Sequence, residues 1–286
     1  MTCKHINKVR LGDDVGEKVL SVTVGKDKEA QTFSIHKNLL QKVTKYFDKL
    51  IATEDGQMGL IFMKDEDPEV FKMFYDWLYT GNIPKAPASF TLDKPASQAE
   101  IQSLEVELRG RFDAHVRKLC TLYYLGEKYD IQHLLNNTID IIQDAFHEYG
   151  TVFGPGLLVS IFENTRTGSK LRELCIAANV IHTDRGCDQL RRELIMASIM
   201  AEGFFEEMMT WISRNFVMFG RRYAEGFDNS KRTQGFSMLN RKKLCPCHFH
   251  KHTNVKDAHK NHKKCAVPYL KCGHQEESDE SMDRSA

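Results

Sequence analysis

The chain has 286 residues, enough for one large domain or two of ordinary size, and 41% of them are hydrophobic. Its 40 basic and 39 acidic residues nearly cancel, which excludes a polyelectrolyte, and no apolar run reaches the roughly 18 residues that a membrane span needs. Because the first residues, MTCKHINKVRLGDD, also lack the apolar core of a signal peptide, we expect a nuclear or cytoplasmic protein with no membrane partner and with reduced cysteines.

The first predicted elements are a β-hairpin and a helix. Residues 18–24 and 30–35 are rich in β-branched residues and flank a polar turn, which predicts two paired strands. Apolar residues then recur at spacings of three and four, which predicts helical structure over 36–50. A short apolar run at 60–63 predicts a third strand.

The clearest predicted helix is DPEVFKMFYDWLYTG, residues 67–81. Asp67 can cap the first turn, Pro68 stands where no backbone N–H is needed, and Gly81 can take the left-handed conformation that ends a helix. An apolar stripe runs along this helix, and we expect it to be core and not a binding groove. Its residues are Val70, Phe71, Phe74, Trp77 and Leu78.

Residues 84–112 are predicted to form a loop or disordered insertion, because their first part holds three prolines and many small polar residues. Helical spacing resumes at about His115 and continues through two helices, 116–129 and 131–146. After a Gly-rich break at 150–156, three further helices are predicted: 157–164, 169–182 and 188–219, the last interrupted near Gly203. Cys120 and Cys175 lie in helical apolar patterns and are predicted to be buried.

The order of these elements resembles that of the BTB/POZ domain. The stretches that carry the resemblance are FSIHKNLL at 33–40, KYFDKL at 45–50, DPEVFKMFYDWLYTG at 67–81 and the helix pair at 119–142. His36 matches the family's characteristic histidine, and Tyr79–Gly81 match its YTG. Through residue 219 the chain is similar to fungal BTB proteins with a short helical extension. The resemblance implies an α+β fold with a small mixed sheet, followed by an all-α extension.

The predicted organisation has six parts. They are an N-terminal segment, 1–16; a BTB/POZ domain, 17–148, with the insertion 84–112; a helical extension, 149–220; a linker, 221–240; a Cys/His-rich tail, 241–274; and an acidic disordered tail, 275–286.

The resemblance implies a scaffold or adaptor that binds proteins, including a second copy of itself. BTB adaptors of cullin ubiquitin ligases carry a hydrophobic-x-Glu signal at the position of Ala52–Glu54 here, and alanine is a weak hydrophobic anchor. A cullin is therefore one candidate partner. The resemblance places the docking edge at Tyr46, Leu50, Ile51 and Glu54.

The sequence contains no recognisable catalytic motif. GTVFGPG at 150–156 lacks the Gly-Lys-Ser/Thr ending of a phosphate-binding loop, and Gly168–Lys170 has the order reversed. His36 has no nucleophile linked to it by a motif and is expected to be a packed structural residue. We expect no enzymatic activity.

The Cys/His-rich tail predicts a zinc site. Between Cys245 and Cys265 lie three cysteines and five histidines, counting both ends. Two short pairs form the best four-ligand set, because a two-residue gap lets both side chains reach one tetrahedral ion. This set is Cys247, His250, His262 and Cys265. A finger-like set of Cys245, Cys247, His259 and His262 is the alternative, and Cys272 and His274 are spare ligands. A disordered metal-scavenging tail stays open as the other interpretation.

The charge of the tail suggests a second functional class. Residues 231–274 hold eleven Lys and Arg against one acidic residue, Asp257. Such a cluster attracts phosphate, although few aromatic residues are interleaved for base stacking. The hypothesis is a BTB-dimerised nuclear regulator whose basic zinc tail contacts nucleic acid, with 231–232 and 241–243 as an import signal. A solvated linker is the simpler interpretation.

Overall fold

The computed structural model describes residues 15–87, 97–183, 188–215 and 248–250. The chain divides into two compact units, the first ending at Ile142 and the second beginning at Gln143. None of the helices in these described ranges is long and apolar enough to cross a membrane.

The first unit contains a three-stranded sheet in the order β2-β1-β3, with bounds of β1 Val19–Val24, β2 Gln31–His36 and β3 Leu60–Met63. The first two strands form an antiparallel hairpin with Leu20 opposite Ile35, and β3 is parallel to β1 with Val22 opposite Ile61. All four of these side chains are buried. The predicted hairpin and third strand are confirmed, and the sheet turns one face into the core.

The helical structure predicted over 36–50 is confirmed, and it is divided into two helices. Helix α1 spans Lys37–Val43, α2 spans Tyr46–Ile51, and the short α3 spans Glu54–Gln57. Between the first two, Thr44 is extended; its hydroxyl donates to the Tyr129 carbonyl at 2.6 Å and accepts from the Tyr46 N–H at 3.2 Å. The first of these hydrogen bonds reaches a residue 85 positions away, and the second is a local bond that a threonine two residues before a helix can form.

The helix predicted over 67–81 is confirmed as α4, Pro68–Thr80. The Asp67 carboxylate accepts the N–H groups of Glu69 and Val70 at 2.7 and 3.2 Å, and Gly81 ends the helix in the left-handed region with φ of 71°. The whole predicted stripe is buried. The helix packs against β2 and against the following helix.

Much of the predicted insertion is helical, which corrects the loop expected over 84–112. Helix α5 spans Gln98–Lys128 and begins with a capping box: the Ser97 hydroxyl accepts the Glu100 N–H, and the Glu100 carboxylate accepts the Ser97 N–H. Residues 84–87 have no regular structure, and 88–96 lie outside the described residues. The Ser-x-x-Glu signal was present in the sequence, but the prolines before it favoured a loop.

Helix α6, Gln132–Tyr149, contains the boundary between the two units, and the second unit continues with α7 Pro155–Asn164, α8 Lys170–Thr183, α9 Asp188–Met200 and α10 Phe204–Arg214. Gly203 is in the left-handed region with φ of 78°, which confirms the predicted interruption. Helix α9 packs against α7, α8 and α10. Helix α10 ends at Arg214, before the end predicted at 219, and residues 216–219 lie outside the described residues.

A buried arginine joins three helices of the second unit. The Arg172 guanidinium donates to the Phe162 carbonyl and to Glu207, each at 2.6 Å, and lies 4.4 Å from the centre of the Phe162 ring. Its Nε donates to the Thr165 hydroxyl at 2.9 Å. A buried charge is tolerated only when it is paired in this way, so Arg172 fixes the end of α7 and the start of α10 onto α8.

Cys120 and Cys175 are buried thiols, as predicted. Burial raises the pKa of Cys120 to about 12, so this side chain stays protonated and packs as a small hydrophobe.

We predict that Phe74→Ala lowers the free energy of unfolding of the first unit by about 3–5 kcal/mol, because it leaves a cavity in a fully buried site. The two tryptophans, Trp77 and Trp211, lie one in each unit, so urea unfolding followed by fluorescence in a Trp211→Phe background reports on the first unit. Val106→Ala, on the exposed part of α5, is the control and should change stability by no more than about 0.5 kcal/mol. An unchanged midpoint for Phe74→Ala would contradict the placement of α4 in the core.

Candidate protein-docking surface

The corner between α2 and α3 is held by local hydrogen bonds. The Thr53 hydroxyl accepts the Gly56 N–H at 3.2 Å and donates to the Leu50 carbonyl at 2.7 Å. Gly56 is required here, because a Cβ at this position would lie 2.1 Å from the Leu50 carbonyl oxygen. Ala52 and Glu54 are exposed on this corner, so the hydrophobic-x-Glu position of the sequence is presented to solvent on a fixed backbone.

The four residues expected at the docking edge have different surroundings. Glu54 is exposed, and Tyr46 and Leu50 are partly buried. Ile51 is only 8% exposed, so it belongs to the core and is not available to a partner; the expectation for this residue is wrong. The Tyr46 ring lies against Tyr129, with 4.5 Å between the ring centres.

Tyr129 is itself fixed by an acidic residue in the turn before α4. Its hydroxyl donates to the Glu66 carboxylate at 2.5 Å, and the Lys128 ammonium donates to the same oxygen. Burial is the main cause that raises the pKa of Tyr129, and the hydrogen bond to Glu66 raises the pKa of Lys128. Both groups therefore keep their protons at neutral pH, and Tyr46 rests on a fixed aromatic ring.

Four exposed apolar side chains, one at the start of β1 and three directly after the corner in the chain, were missed by the sequence analysis. The continuous apolar run LIFM suggests a strand buried on both faces, but only Ile61 and Met63 are buried. Met58 is 69% exposed and Phe62 50% exposed. The sheet-face strip, as we call it, consists of Val19, Met58, Leu60 and Phe62.

The register of the sheet explains the position of the strip. Leu60 lies beside Ser21 and Phe62 beside Thr23 in the parallel β1–β3 pair, and Ser21 and Thr23 alternate with buried residues of β1. Leu60 and Phe62 therefore point away from the core, on the outer face of the sheet. The only signal in the sequence that could have identified them is the alternation of inward and outward side chains along a short strand.

His36 and Tyr79, the two residues that carried much of the resemblance, are in contact. The Tyr79 hydroxyl lies 2.8 Å from His36 Nδ1 and accepts the His36 backbone N–H at 3.1 Å. Burial is the main cause that raises the pKa of Tyr79. His36 thus joins the end of β2 to the end of α4, which is the structural role expected for it.

Of the predicted zinc ligands, only His250 lies among the described residues, where it is buried. The others lie outside them: Cys245, Cys247, His259, His262, Cys265 and Cys272. In the ranges that the structure describes, no group of three or more His, Cys, Asp and Glu side chains is placed to hold a metal ion. The zinc site stays a prediction.

Residues 18–94 contain the hairpin, the split helix pair, the parallel third strand and the capped α4. Residues 18–94 match the family model of the BTB/POZ domain, so the chain contains a BTB/POZ domain, as its sequence predicted. Domains of this family mediate protein–protein interactions and dimerisation. No curated protein matches the chain. The similarity to fungal proteins with a helical extension stays a prediction.

Proposed function

We propose that the chain is a non-enzymatic scaffold or adaptor whose BTB domain binds a protein partner through the α2–α3 corner and the sheet-face strip. The observation that carries the proposal is the exposure of Met58 and Phe62 beside this corner, on a domain whose family binds proteins. Contiguous apolar side chains on a surface mark interaction sites. Self-association through the BTB domain is part of the same proposal.

The N-terminal domain of a cullin is the partner that we propose to test first. Ala52 offers a hydrophobic pocket only a methyl group, but Met58 is long, flexible and exposed one helical turn after Glu54. Met58 would supply the apolar contact that Ala52 cannot, and the Glu54 carboxylate would accept from a basic side chain of the partner. The support for a cullin is the resemblance of the corner to the hydrophobic-x-Glu signal.

We also propose that the tail binds one structural zinc through Cys247, His250, His262 and Cys265. Thiolate and imidazole in two short pairs suit a tetrahedral ion. Lys251, Lys263 and Lys264 adjoin these ligands in the chain, and their positive charge favours thiolate over thiol. Because the tail has few apolar residues to bury, metal binding would supply most of its folding free energy.

A nucleic-acid-binding regulator, located in the nucleus, is the second candidate function. The excess of basic residues at 231–274 supports it, because lysine and arginine that neutralise phosphates release counterions. In this proposal the tail binds the nucleic acid and the BTB domain dimerises the protein.

For the docking proposal, we predict that Met58→Glu weakens binding to a purified cullin N-terminal domain by at least about tenfold, since it places a charge in an apolar contact. Isothermal titration calorimetry measures the affinity. Val106→Glu introduces the same charge at a site 74% exposed on α5 and should bind like wild type. No heat of binding for wild type at roughly 100 µM would exclude the cullin, and equal affinity of the two variants would exclude the surface.

For the zinc proposal, we expect about one zinc per chain in the purified protein and none in the Cys247→Ser, Cys265→Ser variant. Elemental analysis by mass spectrometry measures this, with Cys3→Ser as the control that retains the metal. Chelation should leave the fluorescence of Trp77, measured in the Trp211→Phe background, unchanged. Equal zinc in wild type and the double variant would show that other residues are the ligands, and no zinc in either would support a disordered tail.

For nucleic-acid binding, we predict an affinity that falls steeply with salt. Changing Arg241, Lys242 and Lys243 to Gln should reduce the slope of log K against log salt by up to about 2.7, if each contacts one phosphate of duplex DNA. Fluorescence anisotropy with a labelled duplex measures both slopes. Identical slopes for wild type and variant would contradict a role of this cluster.

A further inference from the structure

Strand β3 lies at one edge of the sheet, and part of its backbone faces away from β1. The Gly59 and Met63 carbonyls accept N–H groups from β1 and from the residue after it, at 2.7 and 3.1 Å. In a parallel pair the N–H and C=O of one residue point to the same side, and this side alternates along the strand. Every second residue from Gly59 to Met63 therefore faces β1, and the backbone groups of Leu60 and Phe62 face outward.

These outward groups leave an open hydrogen-bonding edge. In the part of the chain that the structure describes, β3 pairs only with β1, and the backbone groups of Leu60 and Phe62 have no other partner. Proteins protect such edges with charged residues, proline or a bulge. The sequence of β3 is LIFM, and its register with β1 is continuous, so none of these protections is present. The occupant that this edge fits is another extended strand.

The same edge of a second copy is complementary to it. When two β3 strands lie antiparallel with a two-fold axis at Ile61, Leu60 of each copy is opposite Phe62 of the other. Opposite residues of this kind exchange both of their backbone hydrogen bonds, so four bonds satisfy all the outward groups of Leu60 and Phe62. Lys64, the first charged residue after the strand, comes opposite Met58 and not opposite a second lysine.

The side chains are complementary in the same register. Because the two-fold axis is perpendicular to the sheet, the outer face of one copy continues as the outer face of the other. Leu60 and Phe62, which are 39% and 50% exposed, then form apolar pairs across the two strands. Backbone and side chains therefore favour the same arrangement.

We propose that β3 pairs antiparallel with β3 of a second copy of this chain, which gives a continuous six-stranded sheet in the order β2-β1-β3-β3-β1-β2. This inference specifies the self-association that is part of the proposed function and rests on it. The sheet-face strips of the two copies then adjoin on one face. One dimer therefore presents the strip twice to a protein partner.

The first test compares two substitutions of Phe62 in the full-length chain by analytical ultracentrifugation at up to roughly 100 µM. Phe62→Pro removes the outward N–H but no hydrogen bond to β1, and an edge strand tolerates proline at such a position. Phe62→Ala removes the same ring and keeps the N–H. Since two of the four bonds are lost, Phe62→Pro should have a dissociation constant about tenfold or more above that of Phe62→Ala.

Circular dichroism checks that both variants keep the wild-type fold. Equal dissociation constants for folded Phe62→Pro and Phe62→Ala would overturn the proposal. If Phe62→Pro does not fold, the second test decides.

The second test is a disulfide that reports on the register. Copies carrying Leu60→Cys are mixed with copies carrying Phe62→Cys and oxidised mildly. Opposite residues in a hydrogen-bonded pair have Cα atoms about 5.5 Å apart, which a disulfide can span. Peptide mass spectrometry should identify a disulfide between positions 60 and 62, and Val106→Cys, on the exposed part of α5, should not form one with either position. A disulfide joining position 62 of both copies, or none at position 60 or 62, would overturn this pairing.

These results are distinguishable from those for the cullin. If wild type stays monomeric at every concentration while Met58→Glu weakens cullin binding, the docking proposal stands and the pairing of β3 is wrong. The open edge is then left to a strand of a different protein. If wild type forms the disulfide-linked dimer and binds no cullin, the pairing stands without that partner.

Discussion

Burial of the aromatic stripe of α4 is the interaction on which the BTB domain depends. Phe71 lies 5.1 Å from Phe33 of β2, and Phe74 lies 6.3 Å from Phe47 of α2, measured between ring centres. Helix α4 therefore packs against both the sheet and α2. Only one face of the sheet can pack against α4, so Leu60 and Phe62 of β3 are left on the other face. The candidate docking surface therefore follows from the way in which the core is packed.

Tyr129 is the second point at which separate parts of the domain meet. Its carbonyl accepts the Thr44 hydroxyl, its ring lies against Tyr46, and its hydroxyl reaches Glu66. Tyr129 thus connects three features of the domain: the break between α1 and α2, the proposed docking edge and the turn before α4. A partner that binds at Tyr46 would contact a ring that packs against Tyr129, at the C-terminal end of α5.

The proposed docking surface combines two chemical features on one domain. The sheet-face strip is apolar, and the exposed Glu54 lies on the adjoining corner, whose backbone is held by Thr53. The family match extends over 18–94, so the role of the extension depends on its own chemistry.

Local signals in the sequence determined α4 and the hairpin. Asp67, Pro68 and Gly81 act on their own backbone neighbours, and the alternation of β1 needs only one buried face, so both could be predicted without other parts of the chain. The capping box at Ser97 was equally local and was overlooked because the prolines before it suggested a loop. Tertiary structure alone decided the burial of Ile51 and the exposure of Leu60 and Phe62, and at Thr44 it added a long-range hydrogen bond to a local one. Each of these depends on which distant residue is present to accept a hydrogen bond or to cover a side chain, and the spacing of residues along the chain carries no information about that.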